Sequence, residues 1–247
     1  MILSPVPENV VEAAQAHALQ SYPQESCGLV VGGEYLPCEN VADLPEEDFS
    51  IRDQIVMPYI VAGTLQAVIH SHPVKAIFAP SDPSVRDMIG QISAQVPWGI
   101  IDTDGEVVTA PYWFGDITLD TPLLGVEFHH GVQDCYTAIR KWYWQTRGIK
   151  LKDFPRQGMW WCEDENLYVD NFAKAGFFIV DICDIQDGDV VLGKIKSEVI
   201  NHAGIYLDNS VDGCGLVYHH LPGRLSRRES AGPWLNRTEL VVRYNAD

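Results

Sequence analysis

The chain has no C-x-x-C pair, no apolar run long enough to cross a bilayer, and almost no positive charge in its first half. Each absence excludes something. Six scattered cysteines, Cys27, Cys38, Cys135, Cys162, Cys183 and Cys214, offer neither a zinc knuckle nor a disulfide framework. Most of them are expected to be small buried hydrophobes, with Cys135 an exception. A membrane helix needs roughly 20 apolar residues, so no membrane insertion is expected. The opening MILSPVPENV lacks the basic start and apolar core of a secretory signal, which predicts synthesis in the cytoplasm without export by a signal of its own. Residues 1–118 hold 3 Lys/Arg against 16 Asp/Glu and the remainder 14 against 18, within a net charge of −17. So acidic a surface repels phosphate backbones and anionic lipid, which argues against nucleic acid as a partner; solubility alone accounts for the charge.

What is present reads as two globular domains. With 247 residues, 46% hydrophobic and 21% charged, the chain can bury sizeable cores. Residues 7–21 carry Val10, Val11, Ala14, Ala18 and Leu19 at helical spacing after Pro7. Residues 26–33 and 65–72 read as strands, 83–94 as a helix opening at Pro83-Ser84, and WGIIDTDG as a strand with a turn. That is an α/β domain over residues 1–118, with the boundary near 118–122. A second domain, 119–247, has a helix at 134–146 and then short strands, DVVLGKI, VINHAGIYLD, GLVYHHL and ELVVRYN, separated by turns. One helix bearing a cysteine, followed by an antiparallel sheet bearing histidines, is an α+β arrangement.

The strand at 65–72 ends in a candidate metal half-site. On a strand, residues two apart share a face, so His70 and His72 project side by side. A catalytic zinc takes about three protein ligands and leaves one position open, and the nearby carboxylates are Asp82 and Asp87. Ser84 could cap the following helix. The pattern His70-Ser71-His72-Pro73, then Pro83-Ser84-Val85-Arg86-Asp87, resembles the H-x-H-P … P-S-x-x-D signature of the JAB/MPN metalloproteases. That likeness implies a mixed sheet with flanking helices, zinc held by His70, His72 and Asp87, and Ser84 assisting the oxyanion. It also implies a glutamate that activates water, and Pro23-Gln24-Glu25-Ser26-Cys27-Gly28-Leu29 supplies Glu25 in a matching segment. The departure is a loop between His72 and Ser84 about four residues longer than usual, which makes Ser81-Asp82 a decoy.

A second constellation lies downstream. Cys135 falls in the first turn of a helix, where unpaired N–H groups and the helix dipole favour a thiolate nucleophile. Such a nucleophile needs a histidine base and a group to orient it. His202 sits on one strand, and His219 and His220 on the next, where alternation gives them opposite faces and lets only one meet His202. The ordered strings GVQDC, GDVV, NHAGIY and then His219 resemble NlpC-type cysteine peptidases of cell-wall remodelling, which have a papain-like fold. The likeness implies Cys135 as nucleophile, His202 as base and His219 as the orienting group, with His220 in reserve. Tyr136-Thr137 replaces the family's Ser-Gly after the cysteine, and its upstream tyrosine has no match, Phe128 or His129 falling nearest. His129 and His130 receive no role. The segment Met159-Trp160-Trp161 is expected in the core rather than along a groove.

The order of the two motif sets, across essentially the whole chain, resembles a family of tail-tip proteins of lambda-like bacteriophages. That family implies a hydrolase acting on peptidoglycan stem peptides, with other tail-tip proteins as partners. It places the chain in the host cytoplasm during assembly and then at the virion tail tip. The rival expectations are a structural adaptor whose folds no longer catalyse and, more remotely, a processor of ubiquitin-like proteins.

Overall fold

The computed structural model describes residues 3–163, 165–208 and 215–245. The chain divides into two compact units, Met1–Thr118 and Leu119–Asp247.

In the first unit a five-stranded mixed sheet has the order β2-β1-β3-β4-β5, formed by Cys27–Val31 (β1), Glu34–Cys38 (β2), Leu65–Pro73 (β3), Trp98–Thr103 (β4) and Tyr112–Phe114 (β5). The pair β3 and β4 is parallel, with His70 beside Ile100 and His72 beside Asp102; β1 lies antiparallel on the other side, with Cys27 opposite His70. Helix α1, Glu8–Ser21, buries Val10, Ala14 and Ala18, a four-residue spacing of small side chains that lets it lie close to Ala67, Ile69 and Ile101. Leu29, Ile69, Ile100 and Ile101 are fully buried, each contributing about 1.5–3 kcal/mol relative to exposure.

Helix α2, Asp53–Val61, was not foreseen. It contains Pro58 and has no buried residue, so neither periodicity nor a clean start marks it in the sequence. Helix α3, Val85–Ala94, starts where the Pro-Ser signal places it, with Ser84 as N-cap and a capping box to Asp87. Gly90 leaves room for the Trp98 indole, which a Cβ there would strike.

The second unit is built on a six-stranded sheet of order β10-β9-β8-β7-β11-β6. Its strands are Phe177–Val180 (β6), Val190–Gly193 (β7), His202–Leu207 (β8), Leu216–His219 (β9), Arg227–Ser230 (β10) and Thr238–Tyr244 (β11), all paired antiparallel. Its helices are α4, Cys135–Arg147, α5, Leu167–Asn171, and α6, Ala231–Leu235. The apolar side of α4, with Ala138, Ile139 and Trp142, packs with Val190, Leu192, Ala203 and Ile205. Alternate strand residues, Val191, Tyr206, Val217 and Val241, pack with Ala231 and Trp234, as period-two alternation requires. The unit is α+β, as its sequence pattern predicts.

The cysteines depart from expectation. Cys27 is buried, Cys38 and Cys135 are half-buried, and Cys162 and Cys183 are exposed; Cys214 lies outside the described residues. Cys162 falls at the end of a short turn after the tryptophans and Cys183 in another short turn, both on the outer side.

Candidate metal and thiol sites

In the first unit the last turn of β3 and the first turn of α3 bring four side chains together. His70 Nε2 and His72 Nε2 are 3.1 Å apart. Asp87 Oδ1 lies 3.3 Å from His70 Nε2 and its Oδ2 3.5 Å from His72 Nε2. Glu25 Oε1 stands 4.0 Å from His72 Nε2, and Glu25, His70 and His72 have their ligand atoms within 4.8 Å of one another. Two ligands about 2.0–2.1 Å from one tetrahedral zinc stand roughly 3.3 Å apart, so the imidazole pair and the Asp87 carboxylate have the spacing of a zinc donor set.

The electrostatics follow from burial and contact. Burial opposes ionisation of Asp87, yet His70 and His72 hold its carboxyl well below the usual range. Burial, followed by Asp87 and Asp48 and opposed by His72, pushes Glu25 up to about 7. Ser84 is committed as a cap: its Oγ accepts from Asp87 N at 3.1 Å and its own N–H donates to Asp87 Oδ2 at 2.8 Å. The decoy Asp82 is exposed. The long loop that carries it is anchored at Ser81, whose N–H donates to Asp102 Oδ2 at 2.9 Å.

Two features of this site have no signal in the sequence. The Phe49 ring lies 4.6 Å from that of His70, on a loop tied back to Glu25 by Asn40, which donates to the Glu25 and Asp48 carbonyls. Asp102, buried, faces His72 across the parallel pair.

In the second unit Cys135 is the first residue of α4. The N-cap Asp134 accepts from Thr137 N at 2.8 Å and from Gly131 N at 3.0 Å, and is clamped by Arg156 through 2.6 and 3.1 Å contacts. This fixes the turn that presents the thiol. Cys135 and His202 line one cavity of about 150 Å³. The Ala203 amide, next to His202 on β8, adjoins the sulfur, and burial, followed by Asp134, pushes the thiol up to about 11. The expected helix-stabilised thiolate is therefore a neutral thiol at rest. His202 is neutral too, lowered to about 3 by burial and then by His219 and His220, and its Nε2 is buried with no hydrogen-bond partner.

His219 stands beside His202, ring centroids 5.5 Å apart, with Trp234 against both rings. Its register partner on β8 is Gly204. A Cβ at Gly204 would come within 3.0 Å of Tyr218 O and 3.2 Å of His219 Cβ, so glycine permits this approach of the strands. His219 Nε2 lies 3.2 Å from Glu229 Oε2. His220 turns elsewhere, its ring 5.2 Å from Phe128.

Sequence reasoning missed three members of the thiol site. The Tyr168 hydroxyl is 3.1 Å from Cys135 Sγ, supplied from α5 rather than upstream. Glu229 backs His219. His130 lines the cavity, with its ring against Phe128 and Trp161. The tryptophan segment divides: Trp160 is buried, as expected, but it and Trp161 also line the cavity, and Met159 is exposed.

The NlpC/P60 family model matches residues 110–241. Tail tip assembly protein K of Escherichia phage N15 is 32% identical over 247 aligned residues, covering 96% of this chain and 95% of that one. The protein of the same name from Escherichia phage lambda is 35% identical over 187 residues, 74% of this chain and 84% of that one. A Staphylococcus aureus structure of the NLP/P60 family is 12% identical, covers 96% of this chain and 62% of its own, and has a TM-score of 0.35, too distant to inform the fold. With its match from residue 110 to 241 and relatives aligned along most of its length, the chain belongs to the NlpC/P60 family and to the tail tip assembly protein K family.

Proposed function

We propose that the second unit is an NlpC-type cysteine peptidase with Cys135 as nucleophile, His202 as general base and His219 as the group that orients His202. The observation that carries this reading is the seat of Cys135 at a helix N-terminus that opens on a cavity with His202 in its wall. Because both groups rest neutral, the thiol proton passes to His202 as sulfur attacks the amide carbonyl and the carbonyl oxygen takes the electron pair. The tetrahedral species collapses to a thioester, and the leaving amine receives the proton from His202. Water, deprotonated by His202, then releases the acid and restores the thiol.

The first unit is, in this proposal, a JAB/MPN-like zinc peptidase. His70, His72 and Asp87 would hold the ion, and Glu25 would take a proton from the water that attacks. The division of roles between the two carboxylates rests on distance, since Asp87 lies 3.3 and 3.5 Å from the two imidazoles while Glu25 stands 4.0 Å from His72. In this proposal Ser84 assists the oxyanion with its hydroxyl hydrogen, one of its lone pairs being engaged by the Asp87 amide. A bound zinc supplies carbonyl polarisation and a more acidic water.

In this proposal the chemistry belongs to the bacteriophage tail tip, with other tail-tip proteins as partners, a reading supported by the tail tip assembly protein K relatives. The chain acts in the host cytoplasm during assembly and then in the virion, where cleavage of peptidoglycan stem peptides helps the tail through the cell wall. The test is mass spectrometry of muropeptides released from purified peptidoglycan by the wild type, Cys135→Ala and Asp87→Ala. Stem-peptide fragments that vanish only in Cys135→Ala are the expected result. Absence of fragments from all three would favour a structural adaptor instead.

A further inference from the structure

Resting on the peptidase reading, we propose that the Cys135 cleft also accepts a protein segment, with a bulky apolar side chain next to the scissile bond. The cavity of about 150 Å³ beside Cys135 has mostly apolar walls, aromatic rings prominent among them. Half-buried Phe128, Trp161 and Leu221 line it nearer solvent, and buried Phe177 and Leu192 line it toward the core.

Charge is what the wall does not offer. The charged lining groups are Asp134 and Arg156, which face one another at 2.6 Å; Arg156 also meets Asp153 at 2.8 Å. Cys135 and His202 are neutral, and the His130 ring lies in the aromatic wall. A charged side chain buried against this wall would go uncompensated, so the charged groups of a stem peptide must stay on its solvent side. An aromatic or long aliphatic side chain loses nothing polar on entering and buries a large area. A segment of a protein, such as another tail component, meets that requirement.

The experiment uses the full chain and three reagents, the chloromethyl ketones of N-acetyl-Phe, N-acetyl-Lys and N-acetyl-Glu. In each, Cys135 Sγ bonds to the methylene carbon as chloride leaves, and the thiol proton passes to His202. Rates at Cys135 are read by peptide-mapped mass spectrometry and normalised to each reagent's rate with N-acetylcysteine; iodoacetamide reports access to the thiol alone. The Phe reagent should label Cys135 roughly ten-fold or more faster than the other two. Trp161→Glu should erase that preference while iodoacetamide labelling holds; Leu221→Glu serves if that variant does not fold. Equal rates, or a lead for Lys or Glu, overturn the inference and leave the peptidase reading standing, as does labelling by iodoacetamide but by none of the ketones. Failure of iodoacetamide as well removes both readings together.

Discussion

The Cys135 sulfur and the Tyr168 hydroxyl lie 3.1 Å apart, although 33 residues separate them in sequence. This hydrogen bond works against burial and holds the thiol below where it would otherwise sit. It also sets a hydroxyl beside the sulfur that attacks. Tyr168→Phe should slow peptide cleavage roughly 100-fold, the order seen when one oxyanion donor is removed, at a stability cost of about 1 kcal/mol. Alkylation of Cys135 should rise with pH from neutrality toward about 11 in the wild type and be shifted to higher pH in the variant. An unchanged rate and profile would remove Tyr168 from the reaction.

Asp134 gives a pH test of the fold. Burial raises its pKa, but the Arg156 guanidinium and the Thr137 and Gly131 amides outweigh burial and bring it to about 2. A folded pKa below the unfolded value of about 3.9 stabilises the fold above that range, and the stability is lost as pH falls from about 4 to about 2. Arg156→Ala leaves the buried carboxylate uncompensated and should cost about 3–5 kcal/mol at neutral pH. Calorimetry at neutral and acid pH measures both. A variant as stable as the wild type would show that the clamp carries no net energy.

His219 and His220 should separate cleanly. His219→Ala removes the ring beside His202 and should lower kcat roughly 100-fold or more with modest change in melting. His220→Ala removes a buried ring packed on Phe128 and should cost about 3 kcal/mol with little effect on kcat of the folded fraction. Equal kinetic losses from both would refute the assignment of His219.

Zinc binding gives a fourth test, by elemental analysis of dialysed protein. One zinc per chain is expected in the wild type and none in His70→Ala or Asp87→Ala. Ser84→Ala should keep the metal and lose about 1 kcal/mol with its cap. A chelator should lower the melting temperature of the wild type and leave Asp87→Ala unmoved, because only the former has a folded-state ligand to lose.

Where a local rule governs, the sequence was informative. Ser84 announces α3 through its capping chemistry, apolar spacing after Pro7 marks α1, and strand alternation places His70 beside His72. The misses are of two kinds. β2 contains Pro37, α2 contains Pro58, and β10 reads Arg-Arg-Glu-Ser without apolar alternation, so tertiary pairing overrode weak local preference. Tyr168, Glu229, Phe49 and Asp102 reach their sites across long sequence separations, and nothing in their own neighbourhoods foretells it.

Gly204 carries the last consequence. The spacing of the two imidazoles is set by a methyl group that the chain does not have: with alanine there, β9 must retreat from β8 by a few tenths of an ångström or more, and His219 goes with it. A substitution of one carbon, on a residue that touches no substrate and titrates nothing, would thus detune the base. Its signature would be slower turnover in a protein that still binds its peptide.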